Sequence, residues 1–234
     1  MANATPPRLN VAAASARRFF RAGAPNRQRS LKRYSAMSKT YDQRTRGGDY
    51  YRRHAVARLA PLPGEVILDI GCGTGLNFKS IRDAIGPQGR LIGIELNPGM
   101  LDLARARIDS QGWRNVELVQ AGIEEADIPA IADGALLCAV HDVMRSPAAL
   151  ANVLRHLRPR ARIVAGGPKW ARWQGTGALL MNFTTWKMNR QCVTTFEGFS
   201  RPWSHLQILA ENLVVDEVFW GGGYIASGIR PSAH

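Results

Sequence analysis

The run Val66-Ile67-Leu68-Asp69-Ile70 enters the loop Gly71-Cys72-Gly73-Thr74-Gly75, and Glu95 follows twenty residues beyond that loop. An apolar run of strand length that meets glycine at every second position describes a sharp bend. A ligand can lie against such a main chain with no Cβ in the way. A carboxylate at the tip of the following strand can accept both hydroxyls of a ribose. These residue types together point to an adenosine-containing cofactor. A nicotinamide or flavin fingerprint would need its third glycine at Leu76, and a phosphate-cradling loop would need Gly-Lys-Ser/Thr, which the chain lacks.

What remains is D-x-G-x-G-x-G, formed by Asp69, Gly71, Gly73 and Gly75. This resembles motif I of the class I S-adenosylmethionine-dependent methyltransferases. The resemblance extends from about Tyr41 to Ala165 and is strongest toward the ubiquinone/menaquinone C-methyltransferases and bacterial phosphatidylethanolamine N-methyltransferases. That branch has a Tyr-Asp pair before motif I, here Tyr41-Asp42, and an acidic residue followed by a Met-Leu-x-x-Ala segment, here Glu95 to Ala104. The resemblance implies S-adenosyl-L-methionine as cofactor. Asp69 would hold the methionine amino end within the loop of Gly71, Cys72, Gly73 and Gly75. Glu95 would take the ribose, and Leu96 and Met100 would flank the adenine. The family usually places an Asp after strand three, whereas this chain reads Ala121-Gly122-Ile123-Glu124. Either Glu124 substitutes, or the adenine is held by the backbone of Gly122 and by Ile123.

Methyl transfer from a sulfonium is an in-line displacement, so the protein mainly aligns the acceptor and excludes water. The groups after strand four, His141 and Asp142, lie where ligands of such sheets bind. His141 either accepts a proton from the acceptor or only hydrogen-bonds the loop beneath the cofactor. Tyr41 and Tyr50 either bring ring faces or hydroxyls to the sulfonium or pack a covering helix. The five histidines form no ligand cluster, and no metal is expected.

The elements that must position these residues alternate. Strands are expected at 66–70, 90–95, 116–120, 135–140 and 162–165, with helices at 75–85, after Asn97-Pro98, and at 147–157. A helix over 49–59 is expected to cover the pocket entrance, and Pro159-Arg160-Ala161-Arg162 is expected as a turn. Strands at 213–220 and 223–227 close the chain. The fold class is therefore α/β: a doubly wound, mostly parallel seven-stranded sheet with a C-terminal antiparallel hairpin.

The chain of 234 residues, 45% hydrophobic, suffices for one good core. No window of about 18 apolar residues exists, so no spanning helix is expected. Three cysteines without disulfide or metal spacing suit a reducing, cytoplasmic setting. Charge is unevenly placed: residues 1–46 hold eleven of the 31 Lys and Arg against the single acid Asp42. Residues 1–40 are expected as a basic extension, flexible or amphipathic, with the methyltransferase domain at 41–234. Three roles are open for this tail: peripheral contact with an anionic membrane, a cleaved organellar transit peptide, or a mobile extension.

The segment 166–205 is the expected acceptor-binding insert. It carries Trp170, Trp173, Phe183, Trp186, Phe196, Phe199 and Trp203 among Lys169, Arg172, Lys187, Arg190 and Arg201, with Glu197 as its acid. Aromatic walls with interspersed cations suit an apolar or lipid-like acceptor bearing phosphate or carboxylate, although an ordinary mini-core reads the same way. The expectation is methyl transfer to a small-molecule or lipid-like acceptor, with amines among the candidates. The alternatives are a nucleic-acid methyltransferase tethered by the tail, which the nearly balanced body disfavours, and a silent cofactor-binding module.

Overall fold

The computed structural model describes residues 26–172 and 176–232. The basic stretch before residue 26, with the roles considered for it, and Trp173 lie outside the described residues.

Two helices precede the sheet. α1 (Arg27–Arg44) is capped by Asn26, whose side chain accepts from the Arg29 N–H. A 3-10 turn at Arg46–Gly48 leads into α2 (Asp49–Leu59), which ends on Ala60 in the left-handed conformation. The strands follow as β1 (Val66–Ile70), β2 (Arg90–Glu95), β3 (Val116–Gln120), β4 (Ala132–Cys138), β5 (Leu157–Pro168), β6 (Glu211–Val218) and β7 (Gly223–Ile229). Between them lie α3 (Phe78–Ile85), α4 (Pro98–Gln111), α5 (His141–Met144), α6 (Pro147–Arg155), α7 (Thr176–Asn189) and α8 (Leu206–Leu209). The sheet order is β3-β2-β1-β4-β5-β7-β6, with β7 antiparallel to both neighbours and every other pairing parallel.

The strands are apolar on both faces because both faces are covered. Their alternation distributes side chains between two cores. Leu68, Ile70, Ile92, Ile94 and Leu137 pack on one side with Leu150 and Val153 of α6. Ile67, Leu91, Leu136 and Val164 pack on the other with Leu59 of α2 and Phe78 and Ile81 of α3. Strand order reverses between β1 and β4, and parallel register brings the carboxyl ends of β1, β2, β3 and β4 to one edge. In open α/β sheets the crevice at that reversal is where ligands bind.

Four boundaries depart from expectation. α1 runs unbroken across residues 40 and 41, so the basic extension does not end where a domain begins, and residues 26–40 belong to the folded body. α2 buries Ala55, Val56 and Leu59 against the sheet, and α1 instead does the covering. β4 spans Ala132–Cys138 rather than 135–140, because Ala139 turns left-handed (φ 59°) and ends it. Pro159–Arg162 lies inside β5, with only Arg160 left-handed (φ 63°).

Candidate active site

The bend after β1 requires its glycines. Gly71, Gly73 and Gly75 all sit at positive φ (63°, 56° and 78°), a conformation that costs a residue with Cβ roughly 1–2 kcal/mol. A Cβ on Gly71 would also stand 2.5 Å from Cγ1 of Val140, across the reversal point. Glycine thereby lets the β1 end pack against Val140 and leaves a cradle at Gly73, where a Cβ would meet only Tyr41 Cε1, at 3.9 Å.

Glu95 closes one side of that cradle. Its Oε2 accepts from the Gly73 N–H at 3.1 Å and its Oε1 from the Asn97 N–H at 2.7 Å. Burial pushes the Glu95 carboxyl above its usual range, opposed by the N–H groups of Asn97, Gly73 and Leu96. Asn97 has three tasks: its backbone supports Glu95, its Oδ1 caps α4 by accepting from the Met100 N–H, and its Nδ2 donates to Leu31 O and Ser35 Oγ of α1.

Two joined cavities occupy the strand edge. The first, about 260 Å³, is lined by Gly71, Gly73, Glu95, Leu96 and Met100. Gly122, Ile123 and Glu124 line it from the β3 side, and Glu124 accepts from Ser146 Oγ at 2.8 Å. The β3–β4 loop is fixed below by buried Asn152, whose Nδ2 donates to Ile123 O and Ala126 O. The second cavity, about 490 Å³, lies between α1, α2, α7 and the β5–β7 floor, lined by Tyr51, Arg52, Gly167, Met181 and Phe219 among others. Its size suits a drug-sized molecule. Tyr34, Tyr41, Ala139, Val140, His141, Cys192 and Val193 line both cavities and form the waist between them.

The cavities carry opposite charge. Glu95, Glu124, Glu125 and Asp142 line the first, which has no Lys or Arg in its wall among the described residues. Arg44 and Arg52 line the second, which has no Asp or Glu in its wall among the described residues. Arg52 Nη2 pairs with Asp49 and donates to Thr45 O, while its Nε and Nη1 donate to no described residue.

The expected site residues fall into three groups. Glu95, Leu96, Met100, Gly71, Gly73, Gly122, Ile123, Glu124, His141, Asp142 and Tyr41 converge on the cavities. Asp69, Cys72 and Gly75 line neither cavity. β1 alternation turns Asp69 toward α3, where its carboxyl accepts from Asn77 Nδ2 at 3.1 and 3.2 Å. Burial lifts Asp69 to about pKa 7 against that hydrogen bond. Through Asn77 the Asp69 carboxyl supports the loop from beneath. Cys72 packs behind the loop: a Cβ on Gly93 would stand 2.9 Å from its Sγ.

Among the described residues, the aromatic side chains of the insert pack with one another and with the body. None of Trp170, Phe183, Trp186, Phe196, Phe199 and Trp203 lines either cavity. Trp170, Phe196 and Phe199 stack with centroids 5.1 Å apart, while Trp203 packs on Tyr224. Rings of this size bury more area against each other than along an open cavity. The insert contributes Met181, Thr184, Thr185 and Met188 of α7 instead.

His141 Nε2 lies 3.1 Å from Glu197 O, so that nitrogen carries the proton, and its ring meets Phe199 edge-on at 4.7 Å. Its Nδ1 is buried with no partner among the described residues, and burial lowers the imidazole to about pKa 4. The ring is neutral near pH 7 and a weak proton acceptor, which fits the loop-holding reading. Asp142 accepts from Thr194 N and from Thr194 Oγ1 at 2.7 Å, and Thr194 Oγ1 accepts from the Asn26 N–H at 3.0 Å. That chain, with Arg33 Nη1 on Val193 O, straps α1 over the cavity. Asp42 fastens the other end of α1, accepting from Thr74 Oγ1 and Arg107 Nη2, each at 2.6 Å.

Sequence reasoning missed Asn77, Tyr34, Arg52 and Thr194. Tyr34 had a signal, since it stands seven residues before Tyr41 and so on the same face of a helix. Thr194 had none, because only tertiary contact brings it to Asp142.

A methyltransferase domain family model matches residues 67–160, which hold the glycine loop, Glu95 and the β3–β4 loop. Residues 67–160 thus carry a methyltransferase domain. Demethylmenaquinone methyltransferase of Lactococcus lactis is similar to it, 26% identical over 59% of this chain and 58% of that protein. Aklanonic acid methyltransferase of a Streptomyces species is 34% identical over 42% of this chain and 44% of that protein. The chain spans about half the length of these two curated relatives. The fold of this methyltransferase domain also matches N-methyltransferase NodS of Bradyrhizobium japonicum, solved with S-adenosyl-L-homocysteine. The TM-score is 0.62 at 15% identity, covering 87% of this chain and 99% of that one.

Proposed function

We propose that the protein moves a methyl group from S-adenosyl-L-methionine in the first cavity to a small, largely apolar acceptor in the second. The acceptor is neutral or acidic rather than an amine. The opposite charge of the two joined cavities carries this reading. A cofactor with a sulfonium and an ammonium suits an acidic wall, whereas a dinucleotide pyrophosphate would face four carboxylates and no cation. An ammonium-bearing acceptor would face Arg44 and Arg52 with no carboxylate to receive it.

The residues present fit the cofactor. The open main chain at Gly73 admits a ligand, Glu95 offers a carboxylate for ribose hydroxyls, and Leu96, Met100 and Ile123 offer apolar surface for a flat base. Glu124, with Gly122 beside it, takes the place of the absent Asp after strand three. When bound, S-adenosyl-L-methionine supplies a methyl group activated by its sulfonium.

The rest falls to alignment. Tyr34 and Tyr41, their rings 6.0 Å apart, line the waist, and aromatic rings there favour a cationic centre. Burial raises both phenols, so they remain neutral there. The free N–H groups of Arg52 favour the ionised form of an acidic acceptor, which is already a nucleophile. No proton acceptor is then needed, in keeping with the weakly basic His141. The names of the similar proteins, a demethylmenaquinone and an aklanonic acid methyltransferase, support acceptors of this class.

The test is incubation of the full chain with methyl-labelled cofactor and matched aromatic acids, phenols and amines. Label in the acids or phenols is expected. Label confined to the amines would overturn the acceptor assignment, and failure to bind S-adenosyl-L-homocysteine in calorimetry would overturn the cofactor assignment.

A further inference from the structure

α7 separates the acceptor cavity from solvent, and its outward side is covered by no described residue. Leu179, Leu180 and Phe183 are 55%, 69% and 58% exposed. Next to them, the turn between β6 and β7 presents Trp220, 91% exposed, held out by consecutive left-handed residues Phe219 (φ 51°), Trp220 (φ 48°) and Gly221 (φ 83°). The turn adjoins α7, since a Cβ on Gly222 would stand 2.9 Å from Met181 Sδ. Scattered exposed apolar side chains are ordinary, but four large ones on adjoining elements form a patch that calls for an occupant.

Charge says which occupant. α7 contains no acidic residue. Lys187 is exposed between Trp186 and Met188, and the Arg190 guanidinium lies over the Trp186 ring at 5.0 Å. Arg172 stands exposed near the hairpin, 3.5 Å from Glu217, the acid of this region, which Lys169 also approaches at 3.4 Å. Apolar side chains flanked by long cations match a headgroup layer: the apolar parts enter the acyl boundary while Lys and Arg reach back to phosphates. Tryptophan favours that same depth.

We propose that α7 and the β6–β7 turn dock the protein on an anionic lipid bilayer. Attachment is peripheral, since no helix among the described residues is long and apolar enough to cross a membrane. The other side of α7 gives Met181, Thr184 and Thr185 to the second cavity, so docking places that cavity one helix away from the lipid. An apolar acceptor that partitions into the bilayer would then have a short path. That last point rests on the proposed acceptor, whereas the docking surface does not.

The experiment is co-sedimentation of the full chain with vesicles of equal parts phosphatidylglycerol and phosphatidylcholine, and with phosphatidylcholine alone. Binding to the anionic vesicles, weakened by salt, is expected, as is quenching of tryptophan fluorescence by brominated lipid. Phe183→Ser with Trp220→Ser should lower the bound fraction about tenfold, and Lys187→Glu with Arg190→Glu should do the same. Unchanged affinity for S-adenosyl-L-homocysteine shows that each variant is folded. Three results would overturn the proposal: no binding by the parent, equal binding by parent and both variants, or a dimer that the exposed substitutions dissociate. Vesicle binding without S-adenosyl-L-homocysteine binding would instead overturn the methyl-transfer reading and leave the surface standing.

Discussion

The backbone N–H of Asn97 donates to Glu95 Oε1 at 2.7 Å, while the Asn97 side chain holds α1 through Leu31 O at 3.0 Å and Ser35 Oγ at 2.9 Å. The carboxylate proposed for the ribose and the helix that roofs the cavity thus share one support. Glu95→Ala should weaken S-adenosyl-L-homocysteine binding tenfold or more, about 1.4 kcal/mol, by calorimetry. Asn97→Ala should remove the α4 cap, costing about 1 kcal/mol, and should speed hydrogen exchange in α1. Unaltered exchange there would show that the roof does not depend on this residue.

Gly71→Ala meets two obstacles, a left-handed backbone and Val140 Cγ1 at 2.5 Å. The variant should lose stability and cofactor affinity. Adding Val140→Ala should recover only part, because the backbone cost of roughly 1–2 kcal/mol remains. Complete recovery would mean that sterics with Val140 explain everything.

Asp69 has a folded pKa of about 7 against an ordinary 3.8, raised by burial. A raised carboxyl contributes stability below its unfolded pKa and loses it as pH climbs through the folded value. Asp69→Asn should therefore be more stable than the parent near pH 8, by something on the order of 1–3 kcal/mol. The gain should vanish toward pH 4. Urea denaturation at the two pH values decides it, and a variant less stable near pH 8 would contradict the assignment.

His141 runs the opposite way. Its folded pKa of about 4 lies below the ordinary 6.5, so its contribution is present above 6.5 and lost as pH falls toward 4. His141→Phe should cost about 1 kcal/mol near neutrality through the lost bond to Glu197 O. That deficit should shrink or reverse by about pH 4.5. The parent's kcat should show no inflection near 6.5. An inflection there that disappears in His141→Phe would restore this residue as a proton acceptor.

Arg52→Gln should lower kcat/KM for an acidic acceptor about tenfold relative to its neutral amide analogue, measured with both acceptors on both proteins. An unchanged ratio would remove Arg52 from acceptor selection.

Local patterning made much of the fold legible. Buried parallel strands announce themselves as apolar runs, and the Asp69–Gly75 bend is visible because left-handed backbone demands glycine at set spacing. Glu95, Leu96 and Met100 follow from position after β2. The boundary at residue 40 was not legible, since composition registers basic charge and misses that Asn97 and Thr194 receive α1. The aromatics of the insert misled for a related reason: cavity walls and mini-cores have the same composition.

By itself the sequence determined the strand and helix order, the glycine bend and the kind of cofactor, because these depend on neighbours along the chain. Tertiary structure alone decided that Asp69 faces Asn77 and that α1 roofs the site. It also decided that an acidic cavity meets a basic one at Tyr34, Tyr41 and His141. Those outcomes depend on which side chains from distant segments share a dielectric and a hydrogen bond, and residue spacing does not encode that.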